Sequence, residues 1–147
     1  MKAITSIPFS ELQVDAQLPP LTKPPVTLEQ LVQYAQASGD LNPLHTDDAF
    51  AKSIGLDGVI AHGMLIMGFL GQYVQELAGT EAVVSNFSMR FGAMTKPGDA
   101  ITCSGVVKQF TETAEERTAE LELIAEKAPG ERVGTGTATL VCKIEND

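Results

Sequence analysis

The second half of the sequence alternates between apolar and polar residues in four successive segments, and this alternation constrains the fold more than any other feature. A period of two is typical of antiparallel strands with one buried and one solvated face. The apolar positions are Phe87, Met89 and Phe91; Ile101, Cys103 and Val107; Ala119, Leu121, Leu123 and Ala125; and Ala138, Leu140, Cys142 and Ile144. Turn-forming stretches, "TKPGD", "TETAEE" and "APGE", separate the segments, so the pattern predicts an antiparallel meander.

The apolar face of such a sheet needs a cover, and residues 63–78 can supply it. Their sequence, "GMLIMGFLGQYVQELA", is apolar on nearly every side of a helix from Met64 to Leu70. A helix of this kind is buried rather than amphipathic. We therefore expect an α+β fold in a single domain, 1–147, with a curved antiparallel sheet wrapped around one long central helix.

The first half of the sequence predicts smaller elements. Residues 1–26 are rich in proline and should be extended, with one edge strand at most. Residues 27–39 should form a helix, capped by Thr27 and ended by Gly39. A second short helix should follow Thr46 as its cap and end at Gly55.

Charge and composition exclude some classes of function. The net charge of −9 argues against a nucleic-acid partner, and the longest apolar run, Met64 to Leu70, is too short to cross a bilayer. The first residues lack the apolar core of a secretory signal, so we expect a cytoplasmic protein with two unpaired cysteines, Cys103 and Cys142. A phosphate-bearing ligand would need a local basic patch; the candidates are Lys52, Lys96, Lys108 and Arg90.

The stretch "SGDLNPLHTDD" places a carboxylate, an amide, a proline and an imidazole within six residues, at Asp40, Asn42, Pro43 and His45. Pro43 stiffens the turn between the two predicted helices, which could hold Asp40 and His45 at a fixed separation. Such a pair suits general acid–base chemistry near neutral pH. The alternative is an ordinary Asx-turn with His45 packed beside it, and the residue types alone leave both interpretations open.

The stretch "AHGM" opens the predicted central helix with Gly63. A free backbone N–H at a helix N-terminus suits a developing oxyanion, and glycine allows a ligand to approach closely. His62 could be a second acid–base group or a residue that fixes the start of the helix.

Taken together, "YAQASGDLNPLH" and "GLDGVIAHGMLIMG" resemble the MaoC-like, R-specific enoyl-thioester hydratase and dehydratase family, with the nearest likeness to actinobacterial β-hydroxyacyl-carrier-protein dehydratases. The family pattern fits from Tyr34 through Asp40, Asn42 and His45 to the small residue Ala51. The resemblance implies the hot-dog fold. It also implies that Asp40 and His45 form a catalytic dyad that Asn42 helps to order, and that the Gly63 amide binds the thioester oxygen.

The implied activity is reversible hydration of trans-2-enoyl thioesters to (R)-3-hydroxyacyl thioesters in fatty-acid metabolism. The substrate would be carried on coenzyme A or acyl carrier protein, and no metal, flavin or nicotinamide would be needed. We expect the acyl chain to run along the central helix, past Ile60, Met64 and Met67.

Two alternatives share this fold. One is a hot-dog thioesterase, which would hydrolyse the same class of substrate. The other is a non-catalytic, acyl-binding subunit that depends on a catalytic partner. Because a meander leaves free strand edges, we expect a homodimer or a heterodimer with a related hot-dog subunit.

Overall fold

The computed structural model describes residues 9–144, so residues 1–8 and 145–147 of the predicted domain, including Pro8, lie outside the described residues. The helices are α1 (Leu28–Ser38), α2 (Asp48–Ser53) and α3 (Gly63–Ala78), with short 3-10 turns at Phe9–Glu11 and Pro43–His45. The strands are β1 (Gln17–Thr22), β2 (Val83–Phe91), β3 (Thr102–Glu112), β4 (Glu116–Ala128) and β5 (Glu131–Lys143). One antiparallel sheet with a long helix against it confirms the predicted α+β class.

The order of strands differs from the predicted meander. The sheet runs β1-β3-β4-β5-β2, so β2 pairs with β5 instead of its chain neighbour β3. Short turns join β3 to β4 and β4 to β5, whereas residues 92–101 separate β2 from β3 and are too many for a tight hairpin. Gly92 and Ala93 instead donate to the carbonyls of Val133 and Arg132. These bonds hold the end of β2 against β5.

The central helix has the predicted position. It contacts β2, β3, β4 and β5, and its side chains Leu65, Ile66, Phe69, Leu70, Tyr73, Val74 and Ala78 are buried. The predicted burial on all sides is wrong at its first turn, where Met64 is 56% exposed. Phe91, predicted to face the core, is 53% exposed at the end of β2, because the edge strand has no neighbour there.

The structure confirms the two helices and the edge strand predicted for the first half of the sequence, with one correction. Thr27 accepts a hydrogen bond from the Gln30 amide, and Gly39 ends α1 with a left-handed φ of 80°. The cap of α2 is Asp47 rather than Thr46, since the Asp47 carboxylate accepts from the Phe50 amide at 3.2 Å. The predicted edge strand is β1, which carries Pro19 and Pro20. Within residues 9–144, none of the helices is long and apolar enough to span a bilayer.

The packing of α3 predicts a large effect on stability at its centre. Leu70 is fully buried, so Leu70→Ala should lower the free energy of unfolding by about 2–5 kcal/mol. Urea unfolding followed by circular dichroism measures this loss. Val14, which is 53% exposed, supplies the control, because Val14→Ala should change stability by less than about 0.5 kcal/mol. Similar losses for both variants would contradict the assignment of α3 as the centre of the core.

Candidate active site

The turn after α1 is built from its own side chains. The Asp40 carboxylate accepts from the Asn42 amide at 3.3 Å, and the Asn42 side chain accepts from the Leu44 amide at 3.1 Å. Pro43 then begins the 3-10 turn that ends at His45. The Asx-turn expected as the alternative is therefore present. It does not compete with a dyad, because Asp40 uses one oxygen for the turn and keeps the other.

That second oxygen faces His45. The Asp40 Oδ2 atom lies 3.8 Å from His45 Nε2, and the Asp40 side chain is 52% exposed, whereas that of His45 is 11% exposed. The other ring nitrogen, Nδ1, lies 2.8 Å from the Ile60 carbonyl oxygen. A carbonyl only accepts, so His45 donates from Nδ1 and, when neutral, carries a lone pair on Nε2. Two acceptors thus face each other across a gap too long for a direct hydrogen bond.

His62 lies beneath this pair. Its ring stacks on the His45 ring, with centroids 3.8 Å apart and planes 22° from parallel, and the Tyr34 ring packs against it in a T-shaped contact with centroids 4.7 Å apart. Its Nε2 donates to the Asp40 backbone carbonyl at 3.3 Å. Burial first, and the adjacent His45 second, lower the pKa of His62 below its ordinary value. This environment favours a neutral His62 ring that supports both members of the pair, rather than a second acid–base group.

The lowered pKa of His62 predicts a pH dependence of stability. The unfolded chain binds a proton at His62 below about pH 6.5, whereas the folded protein resists that proton. The free energy of unfolding should therefore be highest above that pH and fall as the pH drops below it, by at most about 1.4 kcal/mol per pH unit.

Urea unfolding between about pH 7.5 and about pH 5.5 measures this slope in the wild type and in His62→Phe. Phenylalanine keeps an aromatic ring at the stacked position and cannot titrate, so its slope should be shallower. Equal slopes in the two proteins would contradict the assignment.

Gly63 is the first residue of α3, directly after His62. The first amides of a helix have no partner within it, and none of the residues in the described part of the chain accepts from the Gly63 N–H. A Cβ at this position would lie 3.1 Å from the Phe91 ring, so this exposed ring would have to shift slightly to admit it. The positive end of α3 therefore offers a free donor one residue from the histidine that supports the pair.

The residues predicted to contact the acyl chain lie in different settings. Ile60 is half-buried, and its backbone carbonyl accepts a hydrogen bond from His45. The identity of the side chain does not predict this role, because a backbone atom performs it. Met64 is exposed at the first turn of α3, and Met67 is half-buried along the same helix. The site is thus open to solvent on this side of the isolated chain.

A metal centre fits these residues poorly. One ligand atom from each of Asp40, His45 and His62 lies within 4.8 Å of the others. However, the two ring nitrogens left free by the bonds to backbone carbonyls, His45 Nε2 and His62 Nδ1, belong to stacked rings, which direct their in-plane lone pairs side by side rather than toward a common point. The arrangement suits proton transfer better than tetrahedral coordination.

Comparison with known proteins decides the family. Residues 13–128 match the family described as MaoC like domain. The chain belongs to this MaoC-like family. It is 33% identical over 84 residues to the (R)-specific enoyl-CoA hydratase of Aeromonas caviae, an alignment that covers 56% of this chain and 63% of that protein.

Solved structures of MaoC-like and related proteins share the fold. The (R)-hydratase from A. caviae aligns with a TM-score of 0.75 and 29% identity over 88% of this chain and 96% of that one. The ChsH1–ChsH2 complex from Mycobacterium tuberculosis aligns with a TM-score of 0.76 and 22% identity, covering 88% and 98%. The chain spans less than two thirds of the length of the curated relatives it matches.

Proposed function

We propose that the protein catalyses the reversible hydration of trans-2-enoyl thioesters to (R)-3-hydroxyacyl thioesters. One observation carries this proposal: Asp40 Oδ2 and His45 Nε2 face each other at 3.8 Å as two acceptors. A water molecule that donates one hydrogen to each atom fits such a gap. The A. caviae relative, named an (R)-specific enoyl-CoA hydratase, supports the choice of substrate class.

In hydration, the water oxygen bonds to C3 while the Asp40–His45 dyad takes one of its protons. Negative charge builds on the thioester oxygen, where the Gly63 N–H stabilises it. The dyad then returns a proton to C2. One water is consumed, the dyad recovers its starting state, and dehydration is the reverse. No metal, flavin or nicotinamide has a step in this mechanism.

His62 and Asn42 are positioning residues in this proposal. Asn42 bonds the turn that carries Asp40, and His62 holds the Asp40 backbone and the His45 ring. Ile60, Met64 and Met67 supply the wall along which the acyl chain runs. Methionine adapts its shape easily, which suits chains of different length.

We propose a homodimer or a heterodimer with a related subunit, joined along β2. The two sheet edges differ, because β1 carries Pro19 and Pro20, which cannot donate to a new strand, whereas β2 has no proline. Val83 and Phe91 are exposed at the two ends of β2. A partner there would cover both side chains, including the Phe91 ring that lies against Gly63.

The proposed compartment is the cytoplasm. Cys103 and Cys142 are both free thiols, and a reducing compartment keeps thiols in this state. Burial raises the pKa of Cys103 to about 12, so this thiol is not a nucleophile at neutral pH.

The test is an assay of the purified protein with crotonyl-coenzyme A and longer trans-2-enoyl-coenzyme A substrates. Absorbance of the conjugated enoyl thioester should fall as it is hydrated, and chiral chromatography should find the (R)-3-hydroxyacyl product. Release of free thiol instead of an alcohol would favour a thioesterase. No change with any substrate would favour the non-catalytic subunit.

A further inference from the structure

A polar groove lies on the outer face of the sheet, opposite α3. It has a volume of about 560 Å³ and is formed by β2, β4 and β5. The polar side chains that line it are Ser88, Arg90, Glu122, Arg132, Thr135 and Thr137. This volume is within the range of small-molecule sites, about 300–1,000 Å³.

The groove holds two arginines without a carboxylate partner among residues 9–144. Several other cations among the described residues are paired with carboxylates, as in Lys96 with Asp57, Lys127 with Asp99, and Arg117 with Glu112. Glu122, the carboxylate in the groove, is 3.6 Å from Lys108 and is thereby balanced. Arg90 and Arg132 therefore give the groove a positive charge in a protein whose net charge is −9.

Both arginines lie at the end of the sheet where α3 begins. Arg90 precedes Phe91, whose ring packs against Gly63 on the inner face. The Arg132 carbonyl accepts from the Ala93 amide, just beyond Gly92 at the end of β2. The groove and the start of α3 therefore lie at the same end of the sheet, on its opposite faces.

We propose that this groove binds the phosphate groups of the thioester carrier while its pantetheine arm reaches around the end of β2 to the dyad. The inference rests on the proposed function. Guanidinium groups bind phosphate through paired, charge-assisted hydrogen bonds, and the Thr135 hydroxyl can donate as well. Ser88 and Thr137 bond each other at 2.9 Å, so this pair has one further O–H to donate. Of the residues that the sequence offered for a basic patch, Lys96 and Lys108 are paired with carboxylates, and Arg90 lies beside Arg132, which was not among those candidates.

The kinetic test compares crotonyl-coenzyme A with crotonyl-pantetheine, which has no phosphate. The double variant Arg90→Gln/Arg132→Gln should raise KM for the coenzyme A thioester at least about tenfold, because losing one hydrogen bond to a charged group weakens binding by roughly that factor. The kcat for either substrate and the KM for crotonyl-pantetheine should not change. Arg117→Gln is the matched control, because Arg117 pairs with Glu112 away from the groove.

Direct binding separates this inference from the proposed reaction. Isothermal titration with coenzyme A, 4′-phosphopantetheine and pantetheine needs no turnover. If the double variant binds coenzyme A alone more weakly, the groove holds the nucleotide phosphates. If it binds both phosphorylated ligands more weakly, the groove holds the phosphate of the pantetheine arm. Unchanged affinity for both, or an equal loss for pantetheine, would overturn the proposal, whether or not the wild type hydrates crotonyl-coenzyme A.

Discussion

Replacement of His45 by alanine is expected to lower kcat for enoyl-thioester hydration by about 10²–10⁴-fold, the usual contribution of an acid–base group. The variant loses Nε2, one of the two atoms proposed to hold and deprotonate the water. Initial rates at saturating concentrations of crotonyl-coenzyme A give this change in kcat. Circular dichroism must first show that the variant is folded, since His45 is buried and donates to the Ile60 carbonyl.

Asp40→Asn provides the matched variant. Asparagine has the same shape and can still accept from the Asn42 amide, so the turn should persist while the negative charge is lost. We expect a fall in kcat of similar size with little change in melting temperature. The double variant should be hardly slower than the slower single variant, because groups that act as a unit are not additive. Undiminished turnover in any of these folded variants would contradict the assignment of Asp40 and His45 as the catalytic dyad, and it would favour a partner subunit only if one co-purifies with the chain.

Gly63→Pro should lower kcat by about 10²–10³-fold, the typical cost of removing one oxyanion donor. Proline lacks the N–H, yet the first position of a helix tolerates it. His62 already has φ −60° and ψ 133°, which is the conformation favoured before proline. The substitution therefore removes the proposed donor while preserving the start of α3.

Gly63→Ala is the control for the added Cβ. It meets the same Phe91 ring at 3.1 Å but keeps the N–H, so it should retain most of the activity that Gly63→Pro loses. Equal losses in both variants would show that steric contact with Phe91, and not the missing donor, limits the rate.

Local sequence patterns predicted the elements well because their causes are local. The alternation at Ala119, Leu121, Leu123 and Ala125 identified the buried face of β4, and the apolar run of residues 64–70 identified the central helix. Alternation predicts which face of a strand is buried, but it does not predict which strand is its neighbour in the sheet. The pairing of β2 with β5 depends on contacts of Gly92 and Ala93 with residues some forty positions away, which no local pattern encodes.

The candidate site divides in the same way. Asp40 and His45 could be paired from the sequence because one short turn carries both. Their anchors could not, since His45 is held by the backbone of Ile60 and Asp40 by the ring of His62, across the fold. Arg132 was missed for the same reason, because it joins Arg90 only after β5 pairs with β2.

In the proposed mechanism one dyad, on one face of the substrate, both activates the water and protonates C2. Hydration of crotonyl-coenzyme A in deuterated water, followed by NMR of the product, shows whether both groups are added to that face. We expect a single diastereomer in which the deuterium at C2 and the hydroxyl at C3 were added to the same face. Anti addition, or a mixture of C2 diastereomers at early times, would contradict it.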